Sequence, residues 1–484
     1  MSAGSWLKTQ MKQKSRTIFK GPVVFYPLLF AAFPILFLYV YNISETSVSQ
    51  IWLPLVTSVA ATLVLWVVLS LILRSLSKAG FATAIFLVFF VSYGRLYEGL
   101  GYLGVFVPKH AYLLPAMLLV FGYCVYFIGR AKRDFRITTR LLNITAVALI
   151  AINLFNIGAY QVKLARLSDV APVDSTEEAA ASPAELSTLP DIYLIIPDEY
   201  AHPDTMKEWY DYDNSQFIES LEDKGFFIAY ESRTRVIGTG WSVASTLNME
   251  YVGLDTPPEV AGKMIFDSKV VRFLKSNGYK YVHIESMTVR PDAADLYYNF
   301  YLSPEDSTLT TEFLRILLNT TMLRPFYNIL AGSQYESLHR TAVMATLEKL
   351  KEMPDVQGPK FVYAHVNCPH DPYVFGPTGE PIPSPNYFNW EDREFYLGQY
   401  VFISKAMEEV VEVLLENSSN PPIVIIQSDH GPKFLDKDAG EKILNAYYLP
   451  GDGIEKLYPS ISPVNSFRLI FNHYFGASYE FLED

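Results

Sequence analysis

Ile423-Val424-Ile425-Ile426-Gln427-Ser428-Asp429-His430-Gly431 is a short apolar run that stops on an acid and a histidine. A β-branched run of this length, bounded by turn residues, reads as a buried strand. Three more runs follow the same plan. Asp191-Ile192-Tyr193-Leu194-Ile195-Ile196-Pro197 ends on Asp198 and Glu199. Phe361-Val362-Tyr363-Ala364-His365-Val366 is a third, and Tyr279-Lys280-Tyr281-Val282-His283-Ile284 a fourth. The fourth follows a helix-like stretch, Val270–Asn277, and a glycine, Gly278, suited to a helix C-cap. Between strands the period changes. Met407, Val410, Val411, Leu414 and Leu415 recur at i, i+3, i+4, i+7 and i+8, one apolar face of a helix. Strands alternating with helices predict an α/β domain, a mostly parallel sheet sandwiched by helices. Ligands of such sheets sit at the carboxyl ends of the strands, where Asp198, Asp429 and His430 fall.

The N-terminal third is different. Five apolar stretches, Val23–Tyr41, Ile51–Ile72, Phe81–Phe106, Tyr112–Ile128 and Leu141–Tyr160, have the roughly 20-residue length that crosses a bilayer as helix. Twelve Lys/Arg residues lie before span one and after spans two and four, and only Lys109 lies in the other loops. That bias predicts a cytoplasmic N-terminus and, after five crossings, an extracytoplasmic remainder. The predicted order is a basic N-terminus (1–21), a five-helix transmembrane domain (22–160), an Ala/Ser/Pro/Glu-rich linker (161–190) and an outer domain (191–484). Arg95 and Glu98 fall inside span three. They read as an intramembrane ion pair or the end of a shorter span, with a lipid headgroup contact as the alternative.

Charge and cysteine content exclude other classes. Residues 1–140 hold 14 Lys/Arg and 3 Asp/Glu, whereas the whole chain carries −12. The outer half is therefore strongly acidic, which excludes nucleic acid as a partner. Cys124 and Cys368 are the only cysteines and lie far apart, so no disulfide framework or CxxC zinc site is available. An exported domain without disulfides points to a bacterial cytoplasmic membrane.

With the strands and their terminal residues in hand, the sequence resembles the alkaline phosphatase/sulfatase superfamily. Ser428-Asp429-His430-Gly431 resembles its Ser-Asp-His-Gly metal motif. Pro369-His370-Asp371-Pro372 resembles its Pro-His-x-Pro segment, whose histidine faces the substrate anion. The run ending at Asp198 resembles its first strand, which ends on an acidic metal ligand. Gly238-Thr239-Gly240-Trp241-Ser242-Val243 resembles the Thr-x-x-Ser-Val stretch around the nucleophilic threonine of phosphoethanolamine transferases, and lipoteichoic acid synthases use a threonine at the same place. Both families also carry five N-terminal spans. The likeness implies an alkaline phosphatase-like outer domain with one divalent metal ion, zinc or manganese, held by Asp198, Thr239, Asp429 and His430. It implies Thr239 as nucleophile, and His370 with His365 as the groups that hold the substrate anion or protonate the leaving group. The structural alternatives are an N-cap role for Thr239, starting a helix at Trp241, and a core role for His365. Arg468 and Lys433 are further candidates for substrate binding, against an ion pair for the first and a solvent-exposed cation for the second.

The chain also departs from these families. Arg233–Ser245 contains neither proline nor cysteine, so the Cys/Ser-x-Pro-x-Arg motif of formylglycine sulfatases is missing. Gly431–Tyr448 lacks the further histidine usual in phosphoethanolamine transferases, and Asp198 stands where both transferase families have Glu. The expected function is a transferase that moves a phosphate-linked group from a membrane lipid donor to an envelope glycan or lipid acceptor. The alternatives are a phosphate or sulfate ester hydrolase with the same site, and a non-catalytic binding protein of the same fold. The oligomeric state is open. His202, His283, His339 and His473 lie outside any motif and read as structural.

Overall fold

The computed structural model describes residues 23–43, 46, 48–102, 109–132, 135–168, 189–285, 291–300, 312–382 and 393–484. The chain forms two compact units. One is Met1–Lys163 together with Ser307–Ser333; the other is Leu164–Asp306 with Gln334–Asp484. The sequence reading kept 191–484 as one continuous outer domain, and the placement of Ser307–Ser333 in the membrane unit departs from it.

The first unit holds five apolar helices: α1 (Tyr26–Tyr41), α2 (Val48–Leu73), α3 (Leu76–Tyr102), α4 (His110–Arg130) and α5 (Arg136–Ser168). Four of them are long and apolar enough to cross a membrane, and α1 is a shorter apolar helix of 16 residues. Leu, Val, Ile and Phe point outward along α2 and α4, with Val56, Val64, Leu71 and Leu119 among the most exposed. That outward apolar surface is the pattern of helices solvated by lipid rather than by water. Helix α5 continues to Ser168, into the stretch read as linker, because Gln161-Val162-Lys163-Leu164-Ala165-Arg166 contains no helix breaker. The rest of that linker, 169–188, and the predicted end of span three at Phe106 lie outside the described residues.

The second unit is built on strands β1 (Ile192–Pro197), β2 (Phe227–Ile228), β3 (Lys280–Ile284), β4 (Leu296–Tyr298), β5 (Lys360–Val366), β6 (Ile423–Gln427) and β7 (Asn445–Tyr448). They form one sheet in the order β2-β7-β6-β1-β5-β3-β4. β6, β1, β5, β3 and β4 run parallel, and only β7 pairs antiparallel with its neighbours. The helices of this unit are α6 (Pro203–Tyr210), α7 (Ser215–Asp223), α8 (Thr239–Asn248), α9 (Pro258–Phe266) and α10 (Lys269–Ser276). After α11 (Glu312–Thr320) and α12 (Arg324–Tyr327) of the first unit come α13 (Ser333–Lys351), α14 (Arg393–Asn417), α15 (Lys437–Glu441) and α16 (Pro463–Phe475).

Strand alternation sorts the core into two layers. Tyr193, Ile195, Val362, Ala364, Val424 and Ile426 pack with α7 and α14 on one face. Ile192, Leu194, Phe361, Tyr363, Ile423 and Ile425 pack with α8, α10 and α16 on the other. Covering both faces explains why the central strands read as continuous apolar runs. The expected helix on Met407–Leu414 is the buried side of α14, and Gly278 takes the left-handed φ of +84° expected of a C-cap glycine.

Candidate metal centre and active site

β1 and β6 are neighbours in register, Ile192 beside Ile423 and Ile195 beside Ile426, so their carboxyl ends deliver Asp198 and Asp429-His430 to one point. Two cross-links fix the two turns together. The Glu199 amide donates to Asp429 Oδ1 at 3.0 Å, and the Tyr200 amide donates to Ser428 Oγ at 3.0 Å. Glu199 itself sits at φ +60°, a left-handed conformation that is costly without glycine and that clusters at functional sites. Gly431 is required where it stands, since a Cβ there would lie 2.1 Å from the Ala439 carbonyl oxygen.

Asp198, Asp429 and His430 are buried, and one ligand atom from each lies within 4.8 Å of the others. Their remaining bonds leave the inward atoms unused. Asp429 Oδ1 accepts from the amides of Glu199 and His430, whereas Asp429 Oδ2 and Asp198 Oδ1 have no hydrogen-bond partner among the described residues. His430 Nδ1 donates to the Gly431 carbonyl at 2.8 Å, which fixes the tautomer and leaves the Nε2 lone pair free to ligate. Buried oxygens without partners are expensive. A divalent cation fits this donor set, because it satisfies both orphaned oxygens and the imidazole lone pair together.

Electrostatics say the same. Burial, and then the neighbouring Asp429, push the Asp198 carboxyl above its usual range. Burial also opposes charge on Asp429, but the histidines 430 and 365 and the Thr239 hydroxyl outweigh it and hold Asp429 below its usual range. Thr239 is the first residue of α8, with Gly238 in the cap position and no side-chain cap bond. The helix therefore begins two residues before Trp241, and Thr239 is not the cap. Its hydroxyl faces Asp429 instead.

His365, mid-strand on β5, stands between two acids: its Nε2 is 3.6 Å from Asp198 Oδ2 and its Nδ1 is 3.9 Å from Glu285 Oε1. Neither nitrogen makes a hydrogen bond among the described residues, which argues against a satisfied core histidine. The loop after β5 brings His370 in. Its amide donates to the Asp198 carbonyl at 3.2 Å, and its Nδ1 lies 2.8 Å from the Asp371 carbonyl. Burial disfavours an imidazolium there, but the carboxylates of Asp198, Asp371 and Glu199 outweigh it and push its pKa up to about 10. Lys433 is exposed; its amide donates to Glu199 Oε1 at 3.2 Å, and its charge acts on both Glu199 and His370.

Arg468 has a different job from the expected substrate contact. Its Nε donates to the Met249 carbonyl at 3.0 Å, Nη2 donates to the same oxygen, and Nη1 donates to the Glu480 carbonyl. It closes the C-terminal end of α8, whose last carbonyls need donors.

Three groups escaped the sequence reading. Glu285 ends β3, where β5 carries it beside His365. It also takes up His283 Nε2 at 2.7 Å, and His283 Nδ1 lies 2.6 Å from the Tyr281 hydroxyl, so His283 belongs to a relay reaching the site. Gln399 of α14 is fully buried and makes four bonds to the His370 loop, accepting from the Val374 and Phe375 amides and donating to the Pro369 and His370 carbonyls. The Tyr396 hydroxyl donates to the Glu199 carbonyl at 2.8 Å. Tyr396, Gln399, Tyr400 and Ser404 continue the helical period of Met407 and Val411, and that polar extension of an apolar face was the available signal. His202 and His473 hold the structural places expected, the first as the cap of α6 and the second paired with Asp452.

Residues 215–459, just over half of the 484-residue chain, match the family described as Sulfatase. The chain belongs to the sulfatase family. Among solved structures, this sulfatase-family chain is similar to the integral membrane lipooligosaccharide phosphoethanolamine transferase A from Neisseria meningitidis (11% identity, 91% of this chain and 94% of that one, TM-score 0.44). It is also similar to the C-terminal periplasmic domain of EptC from Escherichia coli in complex with zinc (14%, 60% and 83%, TM-score 0.40). A third is the corresponding domain of phosphoethanolamine transferase EptC from Campylobacter jejuni (10%, 59% and 89%, TM-score 0.37). No curated protein matches the chain.

Proposed function

We propose that this membrane protein is a metal-dependent transferase that moves a phosphate-linked group from a membrane lipid to an acceptor hydroxyl of the cell envelope, through a covalent intermediate on Thr239. The observation that carries the reading is the buried Asp198–Asp429–His430 cluster with the Thr239 hydroxyl turned toward Asp429. Asp198, Asp429, His430 and Thr239 hold one zinc or manganese ion. The bound ion supplies Lewis-acid polarisation of the phosphoryl oxygen and lowers the pKa of the threonine hydroxyl. Thr239 Oγ gives its proton to water and bonds to phosphorus as the bond to the lipid oxygen breaks, and it takes a proton back when the phosphothreonine bond breaks. The leaving oxygen takes a proton from His370, which the surrounding carboxylates keep charged near neutral pH. His370 then accepts the proton of the incoming hydroxyl as the phosphothreonine bond breaks. The N-terminus of α8 lies beside the developing phosphoryl charge and favours it. Lys433 supplies positive charge at the mouth of the site. The basic N-terminus is cytoplasmic, and the sulfatase fold faces the envelope.

The test is a metal and mass measurement on the full chain in proteoliposomes. We expect about one zinc or manganese per chain, lost in Asp429→Ala, and a phosphate-linked adduct on the Thr239 peptide after incubation with phospholipid. An adduct that water discharges as fast as any added glycan or lipid favours the hydrolase reading. Absence of both metal and adduct after supply of zinc and manganese leaves a binding protein of the same fold.

A further inference from the structure

Of the segment between β4 and α13, the described residues from Glu312 on belong to the membrane unit. α11 enters beside the end of α1 and the start of α2: Phe313 and Leu317 share a core with Ile35, Leu36, Tyr39 and Ile51. The turn after α11 reaches the middle of α3. The Met322 amide donates to the Phe90 carbonyl at 3.0 Å, and Phe90 lies roughly 18 Å from the C-terminal end of α3 at 1.5 Å per residue. The close approach needs Gly94, whose Cβ would fall 2.1 Å from the Asn319 carbonyl oxygen. The chain then turns back. Arg324, 2% exposed, meets Glu98 Oε1 at 2.7 Å, one helical turn nearer the end of α3 than Gly94, and its guanidinium lies over the Tyr97 ring. The partner of Glu98 is thus Arg324 and not Arg95, which is exposed.

This descent and return carries its polarity inside out. Arg315, Asn319, Thr321 and Arg324 are buried, whereas Leu323, Phe326, Ile329 and Leu330 are exposed. Leu323, Phe326 and Leu330 stand at i, i+3 and i+7, one face of a helix, and every exposed side chain from Leu323 to Leu330 is large and apolar. The turn also satisfies its own backbone: the Thr320 and Thr321 hydroxyls donate to the Leu317 and Leu318 carbonyls, and Thr321 Oγ accepts from the Leu323 amide. Self-satisfied backbone, a buried Arg324–Glu98 pair and an outward apolar stripe are features of chain at bilayer depth.

We infer that Glu312–Gly332 is a re-entrant hairpin whose Leu323–Phe326–Ile329–Leu330 face lies against lipid acyl chains, anchoring the sulfatase fold to the bilayer by a segment that lies between β4 and β5 in the chain. The inference rests on the membrane helices and not on the chemistry at Thr239. To test it, single cysteines replace Phe326 and Ile329 in the full chain carrying Cys124→Ala, and Leu254, an exposed apolar residue of the sulfatase unit, serves as control. Each is labelled with an environment-sensitive fluorophore and reconstituted in nanodiscs of ordinary or dibrominated phosphatidylcholine. Phe326→Cys and Ile329→Cys should emit to the blue of Leu254→Cys and lose intensity in the brominated lipid. Emission at both sites equal to the control, with no quenching, overturns the inference. So does unquenched emission accompanied by Ile329→Cys cross-linking to a second chain, which makes the stripe a protein interface.

Discussion

Replacing Asp198 by Asn should stabilise the protein without metal and abolish the stabilisation that metal confers. Ligand oxygens of Asp198 and Asp429 lie within 4.8 Å of each other in a buried setting. At an effective dielectric of about 20, two unit charges at that distance repel by about 3.5 kcal/mol. Histidines 365, 370 and 430 offset part of this, so a net gain of about 1–3 kcal/mol is expected in the metal-free variant. At about 2–4 °C per kcal/mol, Tm rises by about 2–12 °C. The pH dependence has a definite sign. Because the folded-state pKa of Asp198 is raised, the native state binds more protons between the ordinary aspartate pKa and the raised one, and the metal-free wild type loses stability as pH rises through that window. The variant has no such slope from this position. In the wild type, metal at about a hundred times its Kd adds about 2.7 kcal/mol, an increment that Asp198→Asn forfeits. The assay is thermal unfolding of the full chain in detergent, with chelator and with zinc, from pH 4 to pH 8. A metal-free variant less stable than the metal-free wild type, or one that keeps the full zinc increment, would refute the account of this cluster.

Other perturbations follow from the same geometry. Thr239→Ala should remove both turnover and the covalent adduct while folding stability stays within about 1 kcal/mol of wild type, since the hydroxyl makes no helix cap; intact-protein mass spectrometry with a lipid substrate and thermal unfolding check this. Gln399→Leu strands two amides and two carbonyls around the His370 loop, and should cost about 3 kcal/mol by thermal unfolding and at least tenfold in turnover. Glu285→Gln leaves the metal ligands intact but removes the charge beside His365, so metal content should hold while kcat falls; equal loss of metal would make Glu285 part of the metal site. Glu98→Gln removes the carboxylate from buried Arg324 and should destabilise the membrane unit by about 3–5 kcal/mol, read as a lowered Tm in nanodiscs, with Glu98→Gln/Arg324→Met recovering most of it.

Much of this was legible in the chain. Apolar runs ending on Asp198 and on Asp429-His430 determine strands with acids at their carboxyl ends, because an uninterrupted β-branched run has no other stable burial than the middle of a covered sheet. The length of the apolar stretches determined the membrane unit in the same way, since roughly 20 apolar residues are what a bilayer requires. These are properties of local sequence, and the fold returned them with shifts of a few residues at the ends. Only tertiary structure could decide which residues from distant strands meet. Glu285 stands in no motif, and only the pairing of β3 with β5 sets it against His365. Arg468 carried the right chemistry for an anion but spends its donors on the Met249 and Glu480 carbonyls. Arg95 and Glu98 looked like partners because they are neighbours in sequence, yet Glu98 pairs with a residue 226 positions away. Residues 312–330 fall within the stretch 191–484 expected as outer domain, and Arg315 and Arg324 interrupt their apolar residues. Whether such a stretch faces water or lipid depends on where its charges find partners, and those partners lie on another part of the chain.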